Sequence, residues 1–198
     1  MQAMLKSTRS FVDPPWDAPL DVERIFATIP AEAKIAGMFY LAVIEAAKRR
    51  GVTLPLARER YLPFNFYSVS EFARLLLTAA ELFHPGLPLR RALRALGVQG
   101  PKAFIASTLG RVTLGAAQGV HEVVSAIAKT YEINIRPSRC LILESKPSSM
   151  VLSLEDVHYF LDTHHVGVFE GTLSHAGVAG RVRVASYSRS SAELLLEW

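Results

Sequence analysis

The residues able to do chemistry in this chain are few and awkwardly spaced. Four of the six histidines, His158, His164, His165 and His175, fall near one another, and imidazole is a common zinc ligand. Adjacent His164 and His165 would project about 100° apart on a helix, and His175 lies about three turns further on. No i, i+4 histidine pair and no His-Glu-x-x-His motif occurs, so no metal ligands are assigned. Cys140 is the single cysteine, which excludes an intrachain disulfide and a thiolate cluster. Arg139 beside it would favour a thiolate, but the pair falls in a predicted strand and reads as inert core. Neither Gly-x-Ser-x-Gly nor Ser-x-x-Lys is present, and Glu155-Asp156 reads as a solvated strand end. Gly110, Gly115 and Gly119 form no phosphate loop, because no Gly-Lys-Ser/Thr follows them; close helix packing is their expected role. No catalytic residue is assigned, and the expectation is that the chain is not an enzyme.

A chain of 198 residues, half of them hydrophobic and a fifth charged, has globular composition and supports a substantial core. The net charge of +4 is too small for a dedicated nucleic-acid surface. Arg90, Arg91 and Arg94 lie on one helical face and are expected to be solvated. No apolar run approaches the roughly 18 residues of a membrane span. Residues 1–10 lack the apolar core of a secretory signal, so the expected location is cytoplasmic.

The elements that must position these residues follow from hydrophobic period and punctuation. Residues 1–20 form a proline-rich arm through Pro14, Pro15 and Pro19; residues 21–198 are read as one α/β domain. Residues 21–28 suggest a short helix or strand. A helix is expected from Pro30 to Arg50, with Ile35, Met38, Phe39 and Ala42 inward, closed by Lys48, Arg49, Arg50 and Gly51. Ser68 or Ser70 caps a helix carrying Phe72, Leu75, Leu76, Ala79, Ala80 and Phe83 at i, i+3, i+4 spacing. Pro88 opens a helix that Gly97 is expected to end. Further helices are expected over residues 101–117, with Phe104, Ile105, Thr108, Leu109 and Val112 inward, and over 120–130. From Tyr131 the period changes to 2 through Ile133 and Ile135. Strands at 139–145 and 150–155 form a hairpin, a helix follows behind Asp162 or Thr163 with Val166, Phe169 and Leu173 inward, and strands at 180–186 and 192–198 complete the chain. The fold class is therefore α/β in the α+β sense: a helical first two-thirds, then an antiparallel sheet of about four to five strands with one inserted helix.

Residues 84–198 resemble an uncharacterised family of paralogous proteins found in myxobacteria. The resemblance rests on Pro85-Gly86-Leu87-Pro88-Leu89, Arg91-Ala92-Leu93-Arg94-Ala95-Leu96-Gly97, Ser107-Thr108-Leu109-Gly110-Arg111, Gly167-Val168-Phe169-Glu170-Gly171 and the terminal Trp198. It implies no activity. The order of elements is also similar to the haem nitric oxide/oxygen-binding (H-NOX) fold and to the vinyl-reductase-type and TRAPP-subunit-like domains. That second resemblance implies a ligand-binding scaffold and, for H-NOX, haem held by a histidine on the helix before the sheet, where this chain has His121. The Tyr-x-Ser-x-Arg motif that holds the haem propionates would fall near Met150-Val151-Leu152-Ser153-Leu154, which lacks both the tyrosine and the arginine.

By analogy with those relatives an apolar pocket is expected, and its candidate ligand residues are Phe64, Phe66, Phe72, Leu76, Phe83, Phe104 and His121. The leading functional expectation is a non-enzymatic regulatory or sensory domain binding an apolar small molecule or a protein partner. The alternatives are an adaptor that acts only by protein–protein contact, dimerising as the vinyl-reductase-type and trafficking relatives do, and a haem-based gas sensor using His121. No resident cofactor, nucleic-acid partner or transmembrane segment is expected.

Overall fold

The computed structural model describes residues 9–106, 110–111, 117–186 and 188–198. Among the described residues, helices α1 (Val22–Phe26), α2 (Gly37–Arg49), α3 (Val69–Phe83), α4 (Leu89–Ala106) and α5 (Gly119–Asn134) precede the main sheet. Short strands β1 (Lys34–Ala36) and β2 (Phe66–Ser68) flank α2, and β3 (Ile135–Arg136) follows α5. The C-terminal part runs β4 (Arg139–Lys146), β5 (Ser149–Glu155), α6 (His164–His175), β6 (Arg181–Ser186) and β7 (Ala192–Glu197). Helices first and an antiparallel sheet last is the expected α+β order, with α6 as the inserted helix.

The main sheet has strand order β4-β5-β7-β6, with every pairing antiparallel. Alternation puts Met150, Leu152 and Leu154 of β5 and Leu194 and Leu196 of β7 on the buried face. Val182 and Val184 of β6 are buried too, as is the α6 stripe of Val166, Phe169 and Leu173. Ser68 caps α3, accepting the Glu71 backbone N–H at 3.4 Å, and its i, i+3, i+4 series is buried through Ala80.

Several expectations are corrected. Residues 30–36 are not helical. Lys34–Ala36 forms β1, which pairs antiparallel with both β2 and β3 in a second, three-stranded sheet. Buried Ile35 stands opposite Tyr67 and Ile135, so strand pairing outweighs the helical period of its neighbours. Conversely, residues 131–134 belong to α5 rather than to a strand. Tyr131 points inward there, while Ile133 is left 62% exposed. Thr163 sits at the start of α6 without capping it, since its hydroxyl donates to the Phe160 carbonyl instead.

Gly97 does not end a helix. α4 continues through Gly97 and Pro101, because Gly97 is where α4 meets α6 backbone to backbone. A Cβ at Gly97 would collide with the His164 carbonyl, one at Gly167 with the Arg94 carbonyl, and one at Gly171 with the Val98 carbonyl. Three glycines thus let two helices touch along their main chains. Of the glycines expected to serve close packing, Gly119 instead has φ +77° with open space around it, and Gly115 lies outside the described residues. Thr108, Leu109 and Val112 also lie outside them.

The arginines of α4 are each ion-paired; Arg91 stays exposed as expected of a solvated face, while Arg90 is drawn in to 12% side-chain exposure. Arg90 pairs with Asp162 at 2.6 Å, Arg91 with Asp17 at 2.7 Å, and Arg94 grips both carboxylate oxygens of Glu170 at 2.6 and 2.9 Å. The Arg94 guanidinium also lies 4.9 Å from the Trp16 ring centre. Residues 9–20 are fastened further by a backbone bridge from Val12 to Val184 and an Arg181–Asp13 ion pair.

Candidate functional site

A cavity of about 1060 Å³ opens among α2, α3, α4, α5 and the start of α6. Its walls are set by the same periodicities that form the helices. α2 turns Met38, Phe39, Ala42 and Ala46 toward it, α3 supplies Phe72, Leu76 and Phe83, and α4 supplies Leu96, Gln99 and Phe104. α5 contributes Ile127, Thr130 and Tyr131, and Tyr159, His164 and His165 close the far end. Phe39 anchors an aromatic group, stacked at 6.5 Å on Phe104 and tilted at 6.5 Å against Phe72. The space lies among the helices, with none of its lining drawn from β4–β7.

The far end is polar but uncharged. Tyr131 Oη and His165 Nδ1 are 2.7 Å apart, and the His164 and His165 rings meet at 5.4 Å, edge to face. Burial pushes both phenols, Tyr131 and Tyr159, well above the ordinary tyrosine range. Burial likewise depresses His164 to about 4, partly offset by a hydrogen bond with the Leu93 backbone. His165 is held well below the usual histidine range by burial first and by neighbouring His164 second. At neutral pH all four side chains are therefore neutral. His164 Nδ1 and His165 Nε2 have no hydrogen-bond partner among the described residues and almost no accessible surface.

Five of the seven sequence-derived candidates line this space: Phe64, Phe72, Leu76, Phe83 and Phe104. Phe64 stands at the rim, 71% exposed, while Phe72 and Leu76 are buried deep in the wall. Phe66 is elsewhere, in β2, with the Arg136 guanidinium 4.1 Å from its ring centre. His121 is also outside. Its Nε2 is 2.8 Å from the Lys146 carbonyl and its ring meets Trp198 edge-on at 5.2 Å, beside a shallow surface depression lined by Glu122, Ser125 and Lys129. Tyr131, Tyr159, His164 and His165 were not anticipated as cavity residues. The available signal was a histidine pair opening a helix with an apolar stripe, next to Tyr159-Phe160-Leu161, which marks the pair as buried rather than metal-binding.

Residues 30–198 match the model of a protein family described as a protein of unknown function, DUF2378. The chain belongs to this family. No curated protein matches it in sequence. Among solved structures, the DUF2378 chain is similar to an Fe(II) unliganded H-NOX protein from K. algicida, with a TM-score of 0.61 at 11% identity over 82% of this chain and 96% of that one. It is also similar to an H-NOX protein from S. oneidensis in the Fe(II)NO ligation state, with a TM-score of 0.56 at 13% identity over 82% and 98%. At such identities the likeness shows a shared fold.

That fold implies haem, and the residues present do not fit it. The α5 side chains facing the cavity are Ile127, Thr130 and Tyr131, none of them a histidine. His121 lies outside, engaged with the Lys146 carbonyl. Tyr131 is held as a neutral phenol on His165, whereas an iron-bound tyrosine is a phenolate. Of the two wall histidines, His164 Nδ1 and His165 Nε2 have almost no accessible surface, and His165 Nδ1 is engaged by Tyr131. Among the described residues no group of three or more His, Cys, Asp or Glu could hold a metal ion, and no helix is long and apolar enough to cross a membrane.

Proposed function

We propose that this DUF2378 chain is a non-enzymatic sensory domain that binds an apolar small molecule in the cavity among α2–α5 and α6. The observation that carries this reading is the size and chemistry of that space. At about 1060 Å³ it stands at the upper end of the range for small-molecule sites, roughly 300–1,000 Å³. The space is open at its rim, where Phe64 is 71% exposed, so without a ligand it is filled by water rather than left void. That water would wet Phe39, Phe72, Leu76, Leu96 and Phe104, so displacing it with an apolar body is favourable. The H-NOX likeness of the fold supports a sensory role for the scaffold.

The test uses the neutral fluorescent probe N-phenyl-1-naphthylamine. Its emission is expected to rise on titration into the wild-type protein. Ala42→Trp, which places an indole in the cavity from α2, is expected to abolish that rise with an unchanged circular dichroism spectrum. No binding to the wild type, or equal binding to the folded variant, overturns the reading.

A further inference from the structure

Resting on that reading of the cavity, we infer that its ligand is a single-chain amphiphile with an anionic head, the head held at a cationic rim formed by α2 and α4 and the chain running inward toward the neutral Tyr131–His165 end. The inference rests on where charge sits around the space. The interior is apolar, and its far end is polar but neutral, so a charged group placed there would lose its hydration without a counter-charge. Among the described residues, the charged side chains lining the cavity are all at exposed positions: Glu45, Arg49, Arg50 and Lys102. Glu45 is already neutralised by Lys48 at 2.9 Å. Three cations therefore face one satisfied carboxylate.

The three cations have different parts. Arg50 is structural: its guanidinium donates to the Ala46 carbonyl at 3.1 Å and to Gln99 Oε1 at 2.7 Å, and lies 4.6 Å from the Phe83 ring centre. It ties the end of α2 to α4 and covers the Ala46 carbonyl, one of the partial negative charges at that helix end. Arg49 is its neighbour in sequence, and Lys102 lies three residues beyond Gln99 on α4, about one helical turn. Neither Arg49 nor Lys102 forms an ion pair among the described residues. Two uncommitted cations beside an apolar entrance suit a carboxylate or phosphate carried on a hydrocarbon chain. The acyl carboxylates and alkyl phosphates share that chemistry.

Displacement of N-phenyl-1-naphthylamine by laurate, dodecyl phosphate and dodecanol, each below its micelle threshold, tests this on the full chain. At least one of the two anions is expected to displace the probe at a concentration tenfold or more below that of dodecanol, and which anion does so distinguishes carboxylate from phosphate. The double variant Arg49→Gln/Lys102→Gln is expected to erase that preference while leaving dodecanol and probe binding unchanged. If dodecanol matches both anions on the wild type, or the double variant keeps the preference, the anionic-head inference is overturned while the cavity reading stands. If the probe itself fails to bind, the cavity reading falls and takes this inference with it.

Discussion

Replacing Gly97 or Gly167 with alanine sets two opposed effects against each other at the α4–α6 crossing. Alanine is the better helix former by about 0.8–1.0 kcal/mol, so an unobstructed helical site would gain stability. Here the new Cβ at Gly97 would strike the His164 carbonyl and lie 2.9 Å from the Val168 nitrogen; at Gly167 it would strike the Arg94 carbonyl and lie 3.0 Å from the Val98 nitrogen. The obstacles are main chain, so no side chain can swing away, and the helices must part by on the order of 1 Å, with overpacking costs of about 1–3 kcal/mol or more. Because both helices also carry buried core and the Arg94–Glu170 clamp, we expect the upper part of that range to apply. Set against the propensity gain, the net expectation is a loss of about 1–2 kcal/mol, or a fall in Tm of roughly 2–8 °C for a domain of this size. Once the helices have parted for one substitution, the second meets less resistance, so the double variant should be less destabilised than the two single effects added. Ser174→Ala, on the exposed side of α6, serves as the control and should change stability by a few tenths of a kcal/mol at most. Thermal and urea denaturation followed by circular dichroism measure all four variants. A Gly97→Ala protein as stable as the wild type, or more so, would refute the backbone contact.

The buried histidines predict an acid-labile fold. His164 and His165 both have folded pKa values depressed below the unfolded value of about 6.5, so below that pH the unfolded chain takes up protons that the folded chain refuses. Stability should be fully present above about pH 7 and should fall by up to roughly 4 kcal/mol between pH 7 and pH 5, the loss continuing until His164 titrates near 4. His84, lowered by burial and by Arg50, acts in the same direction. Urea midpoints that stay level or rise between pH 7 and pH 5 contradict this. At Cys140, burial pushes the thiol up to about 12, so a disulfide reagent at pH 8 should label the native protein at least about a hundredfold more slowly than the urea-unfolded chain. Equal labelling rates would show that the thiol is not held inside the β4 edge of the sheet.

Much of the helical scaffold is legible in the sequence because its signals are local. Ser68 followed by a stripe from Phe72 to Phe83 specifies α3 within its own residues, and Gly51, at positive φ, ends α2 as its place after the basic last turn suggests. What is not legible depends on a distant partner. β1, β2 and β3 are two or three residues long, too short for any alternation to register, and exist because each supplies the others' hydrogen bonds. Gly97 reads as a stop until Gly167, seventy residues away in sequence, is known to face it. The ion pairs of Arg90, Arg91 and Arg94 are illegible because Asp162, Asp17 and Glu170 are equally remote. The aromatic lining of the cavity was visible as apolar positions on α3 and α4, but its polar end was not, since Tyr131 and His165 meet only across α5 and α6.

The glycine crossing also divides the cavity into a stiff side and a yielding side. α4 is the wall that presents Leu96 and Phe104, and on its opposite flank it lies main chain against main chain on α6, itself anchored by fully buried Val166, Phe169 and Leu173. It has no room to retreat. α2 faces it from across the space with only Gly37, Tyr40 and Ala47 buried, and beside its N-terminal end runs a loop carrying exposed Pro63 and Phe64. On the proposed reading of the cavity, occupants of different girth are expected to displace α2 and that loop, with α4 and α6 as the fixed anvil against which size is gauged.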